Sequence, residues 1–118
     1  MTQPVLDPAT WASLRAIDDD GAFLDEVIDL FVVDARSRVE RVRTALLAGD
    51  RQVAQAAAHS LRGSAGNIGA TAVSSLAKDI EHALGAGHAV EPGAADALEV
   101  ALDLAIQALT AERSRPRD

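Results

Sequence analysis

A histidine, an arginine and two glycines fall at helical spacing in the segment His59-Ser60-Leu61-Arg62-Gly63-Ser64-Ala65-Gly66-Asn67-Ile68-Gly69-Ala70. Residues three and four apart share one face of a helix, so Arg62 and Gly63 are surface neighbours of His59. A glycine inside a helix costs about 1 kcal/mol relative to alanine, and this run carries Gly63 and Gly66. Such a cost suggests that something must come close to the helix at this point. Only a neutral imidazole nitrogen has a lone pair with which to attack phosphorus. An unperturbed ring titrates at about 6.5, so that form is available near neutral pH. An imidazole beside a fixed cation, with no side chain in the way, suits reception of a phosphoryl group from a bulky partner protein.

The elements that must position these residues are all helical. Asp7-Pro8 reads as an N-cap with proline at the first helical position. A short helix follows through Ile17, with Trp11 and Leu14 facing inward; residues 1–7 read as a loose lead. Asp18-Asp19-Asp20-Gly21 breaks that helix, and its carboxylates suit the start of the next. From about 22 to 48 the apolar positions Leu24, Ile28, Phe31, Ala35, Val39, Val42 and Leu46 step by 4, 3, 4, 4, 3 and 4, a sustained helical period. Arg36, Arg38, Arg41 and Arg43 cluster late in this helix. They read as a solvated face matched to the helix dipole, or as a partner surface. Gly49 ends the helix and Asp50 caps the next. From 51 to about 67 the inward stripe is Val53, Ala54, Ala57, Ala58, Leu61 and Ala65, which turns His59 toward solvent. The chain turns at Asn67–Gly69, with Gly66 and Gly69-Ala70 serving close packing and the turn. A helix over about 70–85 buries Val73, Leu76, Ala77, Ile80 and Leu84. A Gly- and Pro-containing loop leads to a last helix, about 93–112, burying Leu98, Leu102, Ala105, Ile106 and Leu109. Arg113–Asp118 reads as a polar, frayed tail. No alternating strand pattern appears. The expected fold class is all-α: an antiparallel four-helix bundle with a short additional N-terminal helix.

In combination these residues resemble the histidine-containing phosphotransfer (HPt) domain family of two-component phosphorelays. Its signature is a histidine, then Leu-Lys/Arg-Gly-Ser, then Gly-Ala five residues later. Phe23-Leu24, Phe31, Gly49-Asp50 and Ile80-Glu81 also match features usual in that family, and the likeness covers most of residues 8–112. The resemblance implies that His59 accepts the phosphoryl group through Nε2, leaving Nδ1–H as a donor. It also implies that Glu81, 22 positions later, orients the ring from the neighbouring helix, by the logic of a catalytic triad. By periodicity Glu81 shares an outer face with Ser74 and Lys78, from which it could reach across an interhelical groove; a solvated glutamate is the plainer alternative. Arg62 stands where most members have lysine. It would hold phosphoryl oxygens through its guanidinium fork, and Lys78 is either a second cation or a plain surface lysine. Gly63 would give the partner's loops access for in-line transfer. Ser64 would hydrogen-bond backbone or phosphoryl oxygen, or bond back into its own helix.

Composition bounds the remaining possibilities. The chain has 118 residues, which fits one domain (core about 8–112), and a net charge of −7, which argues against nucleic acid as main partner. There is no cysteine, no run near the ~18 apolar residues of a membrane span, and no secretory leader pattern. His59, His82 and His88 show no zinc-ligand spacing, and no Gly-rich phosphate loop precedes a helix. The expectation is a cytoplasmic, monomeric phosphoryl carrier without kinase or ATPase activity and without a cofactor of its own. Its partners would be receiver domains of hybrid histidine kinases and response regulators, which would supply Mg²⁺. The alternative is a helical docking or inhibitor protein that binds a receiver or kinase without being phosphorylated. A weaker rival is the detached N-terminal module of a chemotaxis-type histidine kinase; unless this is an excised fragment, the lack of a long linker or kinase motif near Pro116 disfavours it.

Overall fold

Helix boundaries fall where the chain supplies caps. In the computed structural model, which describes residues 5–17 and 21–114, the order is α1 (Pro8–Ala16), α2 (Ala22–Ala48), α3 (Arg51–Asn67), α4 (Thr71–Gly85) and α5 (Gly93–Arg113). Asp7 caps α1 by accepting from the Thr10 amide at 3.2 Å and the Thr10 hydroxyl at 2.6 Å. Gly49, at φ 72°, closes α2 while the Asp50 amide reaches back to the Ala45 carbonyl at 2.8 Å, a Schellman-type stop. Asp50 then caps α3 by accepting from the Val53 amide at 3.1 Å. The expected break at Asp18-Asp19-Asp20 lies outside the described residues.

Helices α2 to α5 form an antiparallel four-helix bundle. α3 packs on α2 and α4, and α5 closes the bundle against the same two helices. The periodic seam of α2 is buried from Leu24 to Val42; at its end Ala45 turns inward and Leu46 is only partly covered. Ala54, Ala57, Ala58, Leu61 and Ala65 bury one side of α3. Small side chains there let both neighbouring helices approach closely, and the opposite side is left for the site. Among the described residues no helix is long and apolar enough to cross a membrane.

Three expectations change. The lead before α1 is tied down at its inner end: the Asp7 amide donates to the Gly69 carbonyl at 2.8 Å and Leu6 bridges to Ala70. Trp11 is buried and its indole N–H donates to the Ile68 carbonyl at 2.9 Å, so α1 is pinned on the α3–α4 turn. Gly69 makes this possible. It sits at φ 79°, and a Cβ there would come within 3.3 Å of the Asp7 nitrogen and the Thr10 Cβ.

The second change concerns two of the late arginines of α2, Arg36 and Arg43, which reach across to α5, while Arg38 pairs with Asp34 on its own helix and Arg41 is exposed. Arg43 bonds Glu40 on its own helix and reaches Asp96 and Glu99 on α5 at 3.2 and 3.5 Å; Arg36 reaches Asp103 at 3.2 Å. They brace α2 against α5. Arg113, expected in the frayed tail, is the third change: it ends α5 and pairs with Asp25 and Asp29 of α2 at 3.2 and 2.9 Å.

Candidate functional site

His59 projects from the solvent side of α3 with 70% of its side chain exposed. Its Nδ1 lies 2.5 Å from Oε2 of Glu81 on α4. An ionised carboxylate only accepts hydrogen bonds, so Nδ1 is the nitrogen that carries the proton, and in the neutral ring Nε2 holds the lone pair. That nitrogen faces away from the carboxylate.

Glu81 is itself 14% exposed and receives a second hydrogen bond, from Arg62 Nη1 to Oε1 at 2.9 Å. Burial acts to raise its pKa. The hydrogen bonds from Arg62 and His59, together with their charges, outweigh burial and hold the carboxyl below its ordinary value. One carboxylate thus spans two residues one turn apart on the facing helix.

α4 lies close against α3 on either side of this cluster. The Ser74 hydroxyl donates to the Arg62 carbonyl at 3.0 Å. At the other end of α4, Gln55 lies so close to Gly85 that a Cβ there would come 3.0 Å from its amide nitrogen. Neither contact is legible in the sequence. Ser74 and Glu81 share a face at i and i+7, but the partner of Ser74 is a backbone atom on another helix, which no pattern within α4 discloses.

The structure brings His59, Arg62 and Glu81 together and leaves Gly63 open beside them. Gly63 is exposed, and a Cβ built on it meets nothing within 4 Å. The fold therefore does not require glycine there. Gly66 is similar: its Cβ would make only an ordinary 3.5 Å contact with Ser74 Oγ, so close packing does not explain it. Ser64 is not part of the cluster. Five residues beyond His59, it turns toward α2 and lines a groove with Val27, Leu30, Phe31, Asp34, Asn67 and Ile68. Lys78 is exposed on α4 and borders a shallow depression with Gly66, Ser74 and Thr10. His82 and His88 are exposed and outside the cluster. On the α2 side the groove lined by Ser64 exposes apolar surface, including Leu30, 65% exposed, and its lining contains no residue of α1.

Such an arrangement can present one imidazole nitrogen as a nucleophile, fix the proton on the other, and keep a guanidinium within a turn of the reacting atom. Comparison with known proteins points the same way. The family model described as "Hpt domain" matches residues 26–112. No curated protein matches. Among solved structures, histidine-containing phosphotransfer protein B (HptB) from Pseudomonas aeruginosa PAO1 superposes with a TM-score of 0.85 at 29% identity, over 98% of this chain and 100% of that one.

Proposed function

Since the chain belongs to the Hpt-domain family and is on that ground a phosphorelay carrier, we propose that its phosphoryl acceptor is Nε2 of His59. The group comes from an aspartyl phosphate of a receiver domain, or from a histidine kinase, and passes on to a response-regulator aspartate. The observation that carries this reading is the hydrogen bond from Nδ1 to Glu81, which leaves Nε2 as the lone-pair nitrogen on an exposed ring.

Each neighbouring residue has its part in the proposal. Glu81 orients the ring and stabilises positive charge that develops on it during attack, as the carboxylate does in a triad. Arg62 supplies a guanidinium for phosphoryl oxygens. Gly63 gives the partner's active-site loops room for in-line approach, which fits the open space at its Cβ position. Ser64, with Val27 and Leu30, belongs to the surface on which the receiver rests rather than to the reacting centre.

Hpt proteins are phosphocarriers rather than enzymes. For this chain we extend that to an absence of kinase and ATPase activity, with Mg²⁺ belonging to the receiver's site and no cofactor resident here. Action as a cytoplasmic monomer completes the proposal. The test is transfer from a phosphorylated receiver, with Mg²⁺, to wild type and to His59→Gln. Acid-labile, base-stable label on wild type alone supports the proposal. Binding of the receiver without label on either protein would instead favour a docking protein.

A further inference from the structure

We propose that Arg62 exchanges partners during the relay: it holds the Glu81 carboxylate in the free protein and passes to the phosphoryl group once His59 carries one. The inference rests on His59 being the acceptor. It begins from a conflict in the geometry. A residue suited to phosphoryl oxygens is already engaged, through Nη1, with a largely buried carboxylate.

Charge accounting resolves the conflict. With the ring in its neutral, nucleophilic form, Glu81 faces one cation, Arg62. In the transfer step the Nε2 lone pair forms the N–P bond as the P–O bond to the receiver's aspartate breaks. The bonding pair leaves with the aspartate as carboxylate. No proton departs from Nδ1, so the ring becomes a phosphoimidazolium with one positive charge, and the phosphoryl group carries about two negative charges, like other phosphoryl modifications. Glu81 then lies against a cationic ring and no longer needs the guanidinium. A new dianion stands one turn from Arg62 without a partner. Moving the guanidinium pairs every charge, because Glu81 keeps imidazolium while Arg62 takes phosphoryl.

The surroundings favour this exchange. Arg62 is 40% exposed and three residues from His59 on the same face, so side-chain rotation suffices. Of the other charged groups near Glu81 on α4, Lys78 and His82 are both exposed. On α2, the other helix packed against α3, Asp34 and Arg38 pair with one another at 2.9 Å. The back of Arg62 is held through its carbonyl by Ser74, which fixes the main chain while leaving the guanidinium free to turn.

The experiment is NMR on ¹⁵N,¹³C-labelled protein, free and after phosphorylation by phosphoramidate, a small donor that needs no receiver. In the free protein, the Arg62 guanidinium should show restricted rotation that is lost in Glu81→Gln. After phosphorylation, Arg62 should again be restricted, now equally in wild type and Glu81→Gln, and the Glu81 carboxyl carbon should shift in wild type. Arg62 signals that stay dependent on Glu81 in the phosphorylated protein would overturn the exchange while leaving the carrier reading intact. Absence of a ³¹P-coupled His59 nitrogen would overturn the acceptor assignment and the exchange with it.

Discussion

Acid should dismantle the His59–Glu81–Arg62 cluster through its carboxylate. Glu81 has a folded-state pKa below its ordinary 4.5: burial pushes it up, and the bonds from Arg62 and His59 pull it further down. The sign follows from linkage. The stabilisation it supplies is fully present above about pH 4.5 and is lost as pH falls through the lower folded value. Thermal melts of wild type and Glu81→Gln should therefore differ most above that pH and converge below it. A difference independent of pH would mean that the ionised carboxylate is not what the fold gains from. Gly63 gives the opposite kind of prediction. With open space at its Cβ position and a helical backbone, Gly63→Ala should raise stability by up to about 1 kcal/mol, measured by urea unfolding. The same substitution should slow transfer from a receiver by roughly tenfold, since small displacements from in-line geometry are costly. Lower stability would contradict the open space at its Cβ position, and an unchanged transfer rate would remove the access role from Gly63.

At the scale of elements, the contrast is with Gly69. Its left-handed backbone strains any side chain, and a Cβ there would crowd Asp7 and Thr10 at 3.3 Å. Gly69→Ala should destabilise by more than about 1 kcal/mol and loosen α1 first. Loss of amide protection at Asp7 and Trp11 ahead of the bundle core would show it. The helices themselves were legible because one period ran through each: α2, α3 and α5 begin and end within a residue of where spacing and caps put them. What spacing cannot carry is contact between elements. The tie of Asp7 to Gly69, the bond of Trp11 to Ile68 and the grip of Arg113 on Asp25 and Asp29 join residues far apart in sequence. Each partner alone looks like an ordinary cap, core or tail residue.

For the whole molecule, stability and chemistry should separate. Leu98 is fully buried on α5, away from the α3–α4 cluster. Leu98→Ala should cost about 2–5 kcal/mol, a large part of the ~5–15 kcal/mol typical of a domain. Transfer per folded molecule should nevertheless stay near wild type; a matching loss of transfer rate would show that the core and the site are coupled. The site was half legible in the same physical sense. His59, Arg62 and Gly63 lie on one helix face, so spacing alone groups them. Glu81 needed the family likeness, because the contact crosses a groove. The second duty of Arg62, holding Glu81, and the lateral grip of Ser74 depend on how α4 is set against α3, which no single-helix pattern contains. The most direct test of the relay reading is to locate the phosphorus in the intact protein by ³¹P–¹⁵N coupling after transfer from a receiver. Coupling to Nε2 of His59, with the proton retained on Nδ1, is the predicted result. Phosphorus on Nδ1, on His82 or His88, or on no nitrogen at all would contradict it.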